Sequence, residues 1–217
     1  MSSDQQLTSS ELSVLSERAI IRALGFEANT PYADIAYRKS AFISLLILGR
    51  MLLRAAQSAL SAPPPALPCG AHLAFSMFKN EKSAIEEHIG ATGDDWCHIS
   101  LDLKRLTGLS FLRILAAIPL HGPRFFYHLV GAYGLRSLKT FPYPLLGYLI
   151  YKHLQRSLGS LRPGRIVTAN ISHPVSLGIH YAAMSAGLAT AYLEHAATPR
   201  LIAHDHGYDE ILVRSPH

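Results

Sequence analysis

Cysteine is scarce in this chain of 217 residues, with Cys69 and Cys97 the complete set. The two match no metal or redox spacing, which excludes a disulfide framework and leaves reduced thiols. No G-x-G-x-x-G or Walker loop follows any strand-like segment, so dinucleotide and P-loop readings lose their support. The basic run or recognition motif of a nucleic-acid-binding protein is also missing, so no nucleic-acid partner is expected. The opening Met1 to Gln6 is polar and lacks the basic n-region of a signal peptide, which points to the cytoplasm.

Acidic residues are absent from a long block. Between Leu103 and Leu193 there is no Asp or Glu, while Lys104, Arg113, Arg124, Lys139, Lys152 and Arg165 are among the basic residues that fall there. The net charge of +5 is therefore concentrated on one stretch of chain, an anion-seeking surface carried by apolar helices. The 49% hydrophobic content and mean hydropathy of +0.17 predict a sizeable core without describing a membrane channel.

The chain divides by rhythm. Residues 1–62 read as a helical segment: an amphipathic run from about Ser9 to Leu24, a break at Gly25, a turn at Asn29 to Pro31, and a second helix over 32–60. Its apolar stretch at 41–48 is cut short of a membrane span by Arg50 and Arg54. Residues 63–69 form a proline-rich linker. From residue 70 to 217 strands and helices alternate. Residues 71–78 and 96–101 read as strands, joined by a helix over 81–89 that Asn80 would cap. Residues 165–170 and 188–193 read as strands around a helix over 175–186 opened by Pro174, and a last strand lies at 210–214. The pattern predicts an α/β fold, a Rossmann-like, mostly parallel sheet with flanking helices, preceded by the helical segment.

A helical insertion at about 105–162 interrupts the alternation. Pro119, Pro123, Pro142 and Pro144 are expected to break its helices. Its aromatic and basic residues, Phe125, Phe126 and Tyr127 foremost, are the types that seat an interfacial helix among anionic headgroups, which makes an anionic membrane surface a candidate partner.

Chemistry gathers at the carboxyl ends of the last strands, where open parallel sheets hold their ligands. Asn170, Ser172, His173, Glu194 and His195 all fall there. A carboxylate with two imidazoles can support acid/base chemistry near neutral pH. We take His173, Glu194 and His195 as candidate catalytic residues, and Asn170, Ser172 and Arg200 as candidate substrate-binding ones. His204, Asp205 and His206 with Asp209 have the right types to ligate a divalent ion, although short clusters of this kind are commonly exposed loops. No metal site is assigned.

The run ANISHPVSLGIHYAAMSAGLATAYLEHAA, residues 169–197, resembles a pattern found in the amino-terminal half of GT-B-type glycosyltransferases and related proteins of bacterial capsule and surface-polysaccharide synthesis. That pattern reads Asn-(Asp)-x-Ser/His-Pro, a helix ending Ala-x-x-x-Gly, then Thr-x-Tyr-x-Gln/Glu-His-Gly/Ala. The closing YDEILVRSPH is similar to the strand that begins the next unit. The resemblance spans residues 165–217, with a weaker similarity over 71–103, and Glu194 stands where glutamine is common. It implies an acceptor-binding half at the inner face of the cytoplasmic membrane and a saccharide or lipid-linked acceptor. It also implies a nucleotide-sugar donor, held by a second Rossmann-like domain or partner chain, since no cofactor is assigned to this chain itself. An inverting transfer would need a base, with His173 or Glu194 serving and His195 orienting. A non-enzymatic, membrane-associated adaptor with a half-GT-B fold is the alternative, and a metal-dependent hydrolase the third.

Overall fold

The computed structural model describes residues 16–28, 40–61, 67, 71–171, 173–194 and 207–212. Among these, α1 (Glu17–Ala28) and α2 (Ala41–Ser61) precede the first strand. Then come β1 (His72–Ser76), α3 (Lys79–Thr92), β2 (Trp96–Ser100), α4 (Phe111–Ala116) and α5 (Ile118–Tyr133). A 3-10 turn (Leu135–Lys139), α6 (Pro142–Leu161), β3 (Arg165–Thr168), α7 (Pro174–Ser185), β4 (Ala189–Leu193) and β5 (Glu210–Leu212) complete the order.

All five strands run parallel in the order β2-β1-β3-β4-β5, a Rossmann-like α/β architecture. Each expected strand is present, β1 to β4 being shorter at their ends than the sequence implies, while residues 213–214 of the last lie outside the described residues. Alternation divides the side chains between two faces. Ala74, Val167, Ala191 and Leu193 pack with Ala84 and Ile85 of α3. Leu73, Phe75 and Ile166 face the larger core built by the other helices.

Several helix boundaries differ from expectation for identifiable reasons. Asn80 does not cap α3: the helix starts two residues earlier, with Phe78 at the cap position, and the Glu81 carboxylate reaches back to the Met77 and Phe78 amides instead. Gly25 does not break α1, which continues to Ala28. A Cβ at Gly25 would lie 2.7 Å from Leu129 Cδ1, so the glycine is there to let α1 and α5 approach. Pro123 sits inside α5, while Pro142 and Pro144 occupy the first turn of α6, where their missing N–H groups cost little.

The apolar helices also exchange roles. Phe125 is fully buried against Tyr148, and Phe126 packs edge-on to Phe125 and Phe141, so this cluster is core and not the membrane anchor expected of it. Only Tyr127 of the three is exposed. Conversely, Arg50 and Arg54 do not shorten α2, a 21-residue helix long and apolar enough to cross a membrane by length and composition.

The helical segment shares its core with the sheet domain. Ile20, Ile21 and Leu24 of α1 and Met51 of α2 belong to one cluster with Leu145, Leu149 and the sheet. Glu17 fastens α1 from outside, bonding Lys152 Nζ at 2.7 Å and Arg124 Nε at 2.6 Å. Partial burial pushes its pKa up, but the two cations outweigh this and leave it below the usual value. The expected turn at 29–31 and the core of the linker at 62–66 and 68–70 lie outside the described residues.

The tightest packing is between α6 and α7, which cross with glycine against glycine. A Cβ at Gly178 would stand 2.2 Å from the Gly147 carbonyl oxygen, and one at Gly147 would stand 2.2 Å from that of Pro174. Backbone cannot retreat as a flexible side chain can. Gly178→Ala should therefore destabilise the fold by about 3 kcal/mol, the upper end of the usual cost of overpacking, despite alanine's better helix propensity. Urea midpoints of the variant and of Gly159→Ala, where a Cβ meets nothing, measure it; equal midpoints would refute the close approach.

Candidate functional site

The strand order fixes where a ligand crevice can form. From β1 the chain proceeds through α3 to β2 on one side, and from β3 through α7 to β4 on the other. The sheet therefore has its topological switch point between the carboxyl ends of β1 and β3.

A single bonded chain of residues spans that point. Glu81, 1% exposed, accepts from the Met77 and Phe78 amides through Oε2 at 2.7 and 3.2 Å, and from Asn170 Nδ2 through Oε1 at 2.9 Å. Three donors and a helix amino terminus compensate a charge that would otherwise be costly to bury. Asn170 in turn accepts the His173 amide through Oδ1 at 2.9 Å, so both ends of its side-chain amide are committed. His173 then caps α7, its Nδ1 accepting the Val175 amide at 3.2 Å.

This last bond decides what His173 can do. Because Nδ1 accepts, the neutral ring carries its proton on Nε2 and offers a hydrogen-bond donor. Burial pushes its pKa down to about 4, which keeps the ring neutral near pH 7. Its edges meet Phe78 at 6.1 Å and Tyr143 at 5.5 Å between ring centroids. To become a cation the ring would have to take its second proton on Nδ1, which would break the cap bond to the Val175 amide and place a charge in a desolvated site.

Tyr143 connects the cluster to a groove of about 340 Å³ lined by Ile47, Arg50, Met51, Arg54, Leu103, Lys104, Leu106 and Tyr143. Arg54 is tethered there, donating to the Lys104 carbonyl. The groove is apolar along its walls and cationic at its rim, which suits an anion attached to an apolar group.

Of the residues expected at the site, Asn170 and His173 come together at the switch point. Glu194 follows β4, half-buried, and its amide donates to the Leu212 carbonyl at 2.9 Å on the β5 side. Ser172, His195 and Arg200 lie outside the described residues, as do His204, Asp205 and His206. Asp209 is occupied in joining β5 to β4, its Oδ2 accepting from the Thr190 amide at 2.7 Å and hydroxyl at 3.0 Å. Among the described residues no group of three or more His, Cys, Asp or Glu side chains is placed to hold a metal ion. Glu81 and the groove arginines are the residues the sequence reading missed. The usual signal for a carboxylate at the third helical position is a Ser or Thr cap, and here the cap residue is Phe78.

A second constellation superficially resembles a nucleophile triad. Ser76 Oγ lies 2.8 Å from His98 Nε2, and His98 Nδ1 lies 3.8 Å from Glu86 Oε1. Ser76 is only 1% exposed, so the bond fixes His98 against the sheet and presents no accessible nucleophile.

No protein-family model, curated protein or solved structure matches the chain.

Burial of the neutral His173 ring makes stability depend on pH. The folded-state pKa of about 4 lies below the ordinary 6.5, so the folded state binds fewer protons in between. His173 contributes its full share of stability above pH 6.5 and loses it as pH falls toward 4, up to about 2 kcal/mol by pH 5. His88, His98, His121 and His153 are shifted the same way and add to the slope. In His173→Asn, where the amide oxygen can cap but not titrate, the urea midpoint should fall less between pH 7.5 and pH 5 than in the wild type. An unchanged slope would place the titration elsewhere.

Proposed function

We propose that the chain is the acceptor-binding half of a GT-B-type glycosyltransferase in bacterial surface-polysaccharide or glycolipid synthesis. The observation that carries this reading is the basic groove beside Tyr143 and His173, which opens next to the switch point of a parallel sheet. Arg50, Arg54 and Lys104 suit the phosphate of a lipid-linked saccharide, and Ile47, Met51 and Leu106 suit the start of its apolar chain. His173 Nε2–H would donate to a saccharide hydroxyl. The proton-accepting role in an inverting transfer goes to Glu194, because His173 is committed as a neutral cap. The nucleotide-sugar donor belongs to a second Rossmann-like domain or partner chain.

One feature favours the non-enzymatic adaptor as a second reading. The most deeply buried carboxylate at the mouth, Glu81, is engaged by three donors and holds structure together instead of facing a ligand.

Mutation separates the two. With the complete native system, its donor and its acceptor, Glu194→Gln should lower transfer by about 10²- to 10⁴-fold, the usual contribution of a general base, without moving the thermal midpoint. Arg50→Gln should raise KM for a phosphate-linked acceptor while leaving kcat nearly intact. Full activity in both variants would reject this site as the acceptor half and leave the adaptor reading.

A further inference from the structure

We infer that α2 is an in-plane membrane-docking helix, lying in the headgroup region of an anionic leaflet with its outer face in the acyl boundary. The inference rests on the surface of α2 and stands whether or not the saccharide reading does.

Helical spacing sorts the residues of α2 into two opposed stripes. Ser44, Met51 and Ala55 are buried against the body of the protein, and Ser44 Oγ donates to the Lys139 carbonyl at 2.5 Å. The opposite stripe carries Phe42, Leu46, Leu53 and Leu60, which are 67%, 57%, 61% and 90% exposed, with Leu45 beside them. Soluble surface helices place their polar residues on that side. Here the sense is reversed: the outward face is the apolar one. From Phe42 to Leu60 the ridge runs about 27 Å along the axis, more than scattered exposed leucines would give.

Charge identifies the occupant. Arg50 and Arg54 flank the ridge on α2 itself. The elements packed against α2, namely α4, the 3-10 turn and α6, contain Arg113, Arg136, Lys139 and Arg156, with Lys152 already paired to Glu17 of α1, and no Asp or Glu of their own. In sequence, residues 35–80 are likewise free of acid. Near the groove, Asp102 pairs with Arg105 at 3.8 Å and leaves Lys104 exposed beside it. An apolar ridge rimmed by cations matches an anionic lipid surface, whereas a second copy of the same ridge would bring like charges together at the rim. The helix also cannot span the bilayer in this fold, because its buried stripe is attached along its length to the protein core.

The test uses the full chain and needs neither donor nor acceptor. Flotation with vesicles of phosphatidylcholine, alone or with a third of phosphatidylglycerol, should show binding to the anionic vesicles that weakens but persists in 1 M salt, where screening shortens to about 3 Å. Leu46→Glu with Leu53→Glu should weaken partition by about 100-fold, roughly tenfold for each side chain withdrawn from the lipid, with an unchanged melting temperature. Phe42→Trp in a Trp96→Phe background keeps the ridge apolar, and its emission should be quenched by lipids labelled in the upper acyl chain. Absence of binding, binding unaffected by the glutamates, or emission blind to the labelled lipid would each overturn the inference. So would a lipid-free dimer that the glutamates dissolve while vesicles capture nothing, because a second copy would then cover the face.

Discussion

The contact on which the rest of this structure depends is the crossing of α6 and α7 at Gly147 and Gly178. α7 is buried almost throughout, and so is α6 from Pro142 to Tyr151 apart from Tyr143, so the two must fit closely against each other. With side chains at the crossing the two axes would be pushed apart, and Pro174, whose carbonyl faces Gly147, would move with α7. Pro174 follows His173 directly. The depth of a helix crossing in the core thereby sets the position of the imidazole at the mouth, and a packing constraint becomes a constraint on chemistry.

From that fixed point the mouth is assembled by groups that are short of water and therefore strict about partners. A buried carboxylate needs hydrogen-bond donors, and Glu81 finds them in the loop after β1 and in Asn170 after β3. Removing Asn170 would leave a buried carboxylate oxygen unsatisfied, which costs more than the net strength of the lost bond. The same amide orients His173, and His173 orients the first turn of α7. The network runs unbroken from the loop after β1 to the first turn of α7, which explains how the switch point can be rigid.

Much of the fold was legible because strand and helix periods are local. The run at 165–193 reads as strand, helix and strand without knowledge of the rest, and its register in the sheet agrees. What could not be read is which strands are neighbours. The sequence placed Asn170 and Glu194 in one cluster as ends of successive strands, yet Asn170 turns toward β1 and a glutamate 89 residues away. That pairing depends on the long helical insertion carrying the chain past β1 so that β3 lands beside it. The aromatic helices failed for a different reason. Composition cannot distinguish an apolar residue that faces a core from one that faces lipid, so Phe125 and Phe126 looked like anchors and α2 looked like a helix cut short by its arginines.

The corrected assignment makes a more coherent surface than the expected one. Met51 and Ile47 of α2 line the basic groove on its inner side, while Phe42, Leu46 and Leu53 face outward. Arg50 and Arg54 sit between, at the rim shared by both. A molecule whose charged group lies at headgroup depth and whose tail lies among acyl chains would meet these features in the right order: the ridge settles the helix at that depth, the rim receives the charge, and Tyr143 leads from the groove to His173. An acceptor dissolved in the cytosol would need no such ridge. If the acceptor-binding and membrane-docking proposals hold together, the outward apolar face of α2 favours an acceptor that stays in the membrane and is drawn sideways from the lipid into the groove.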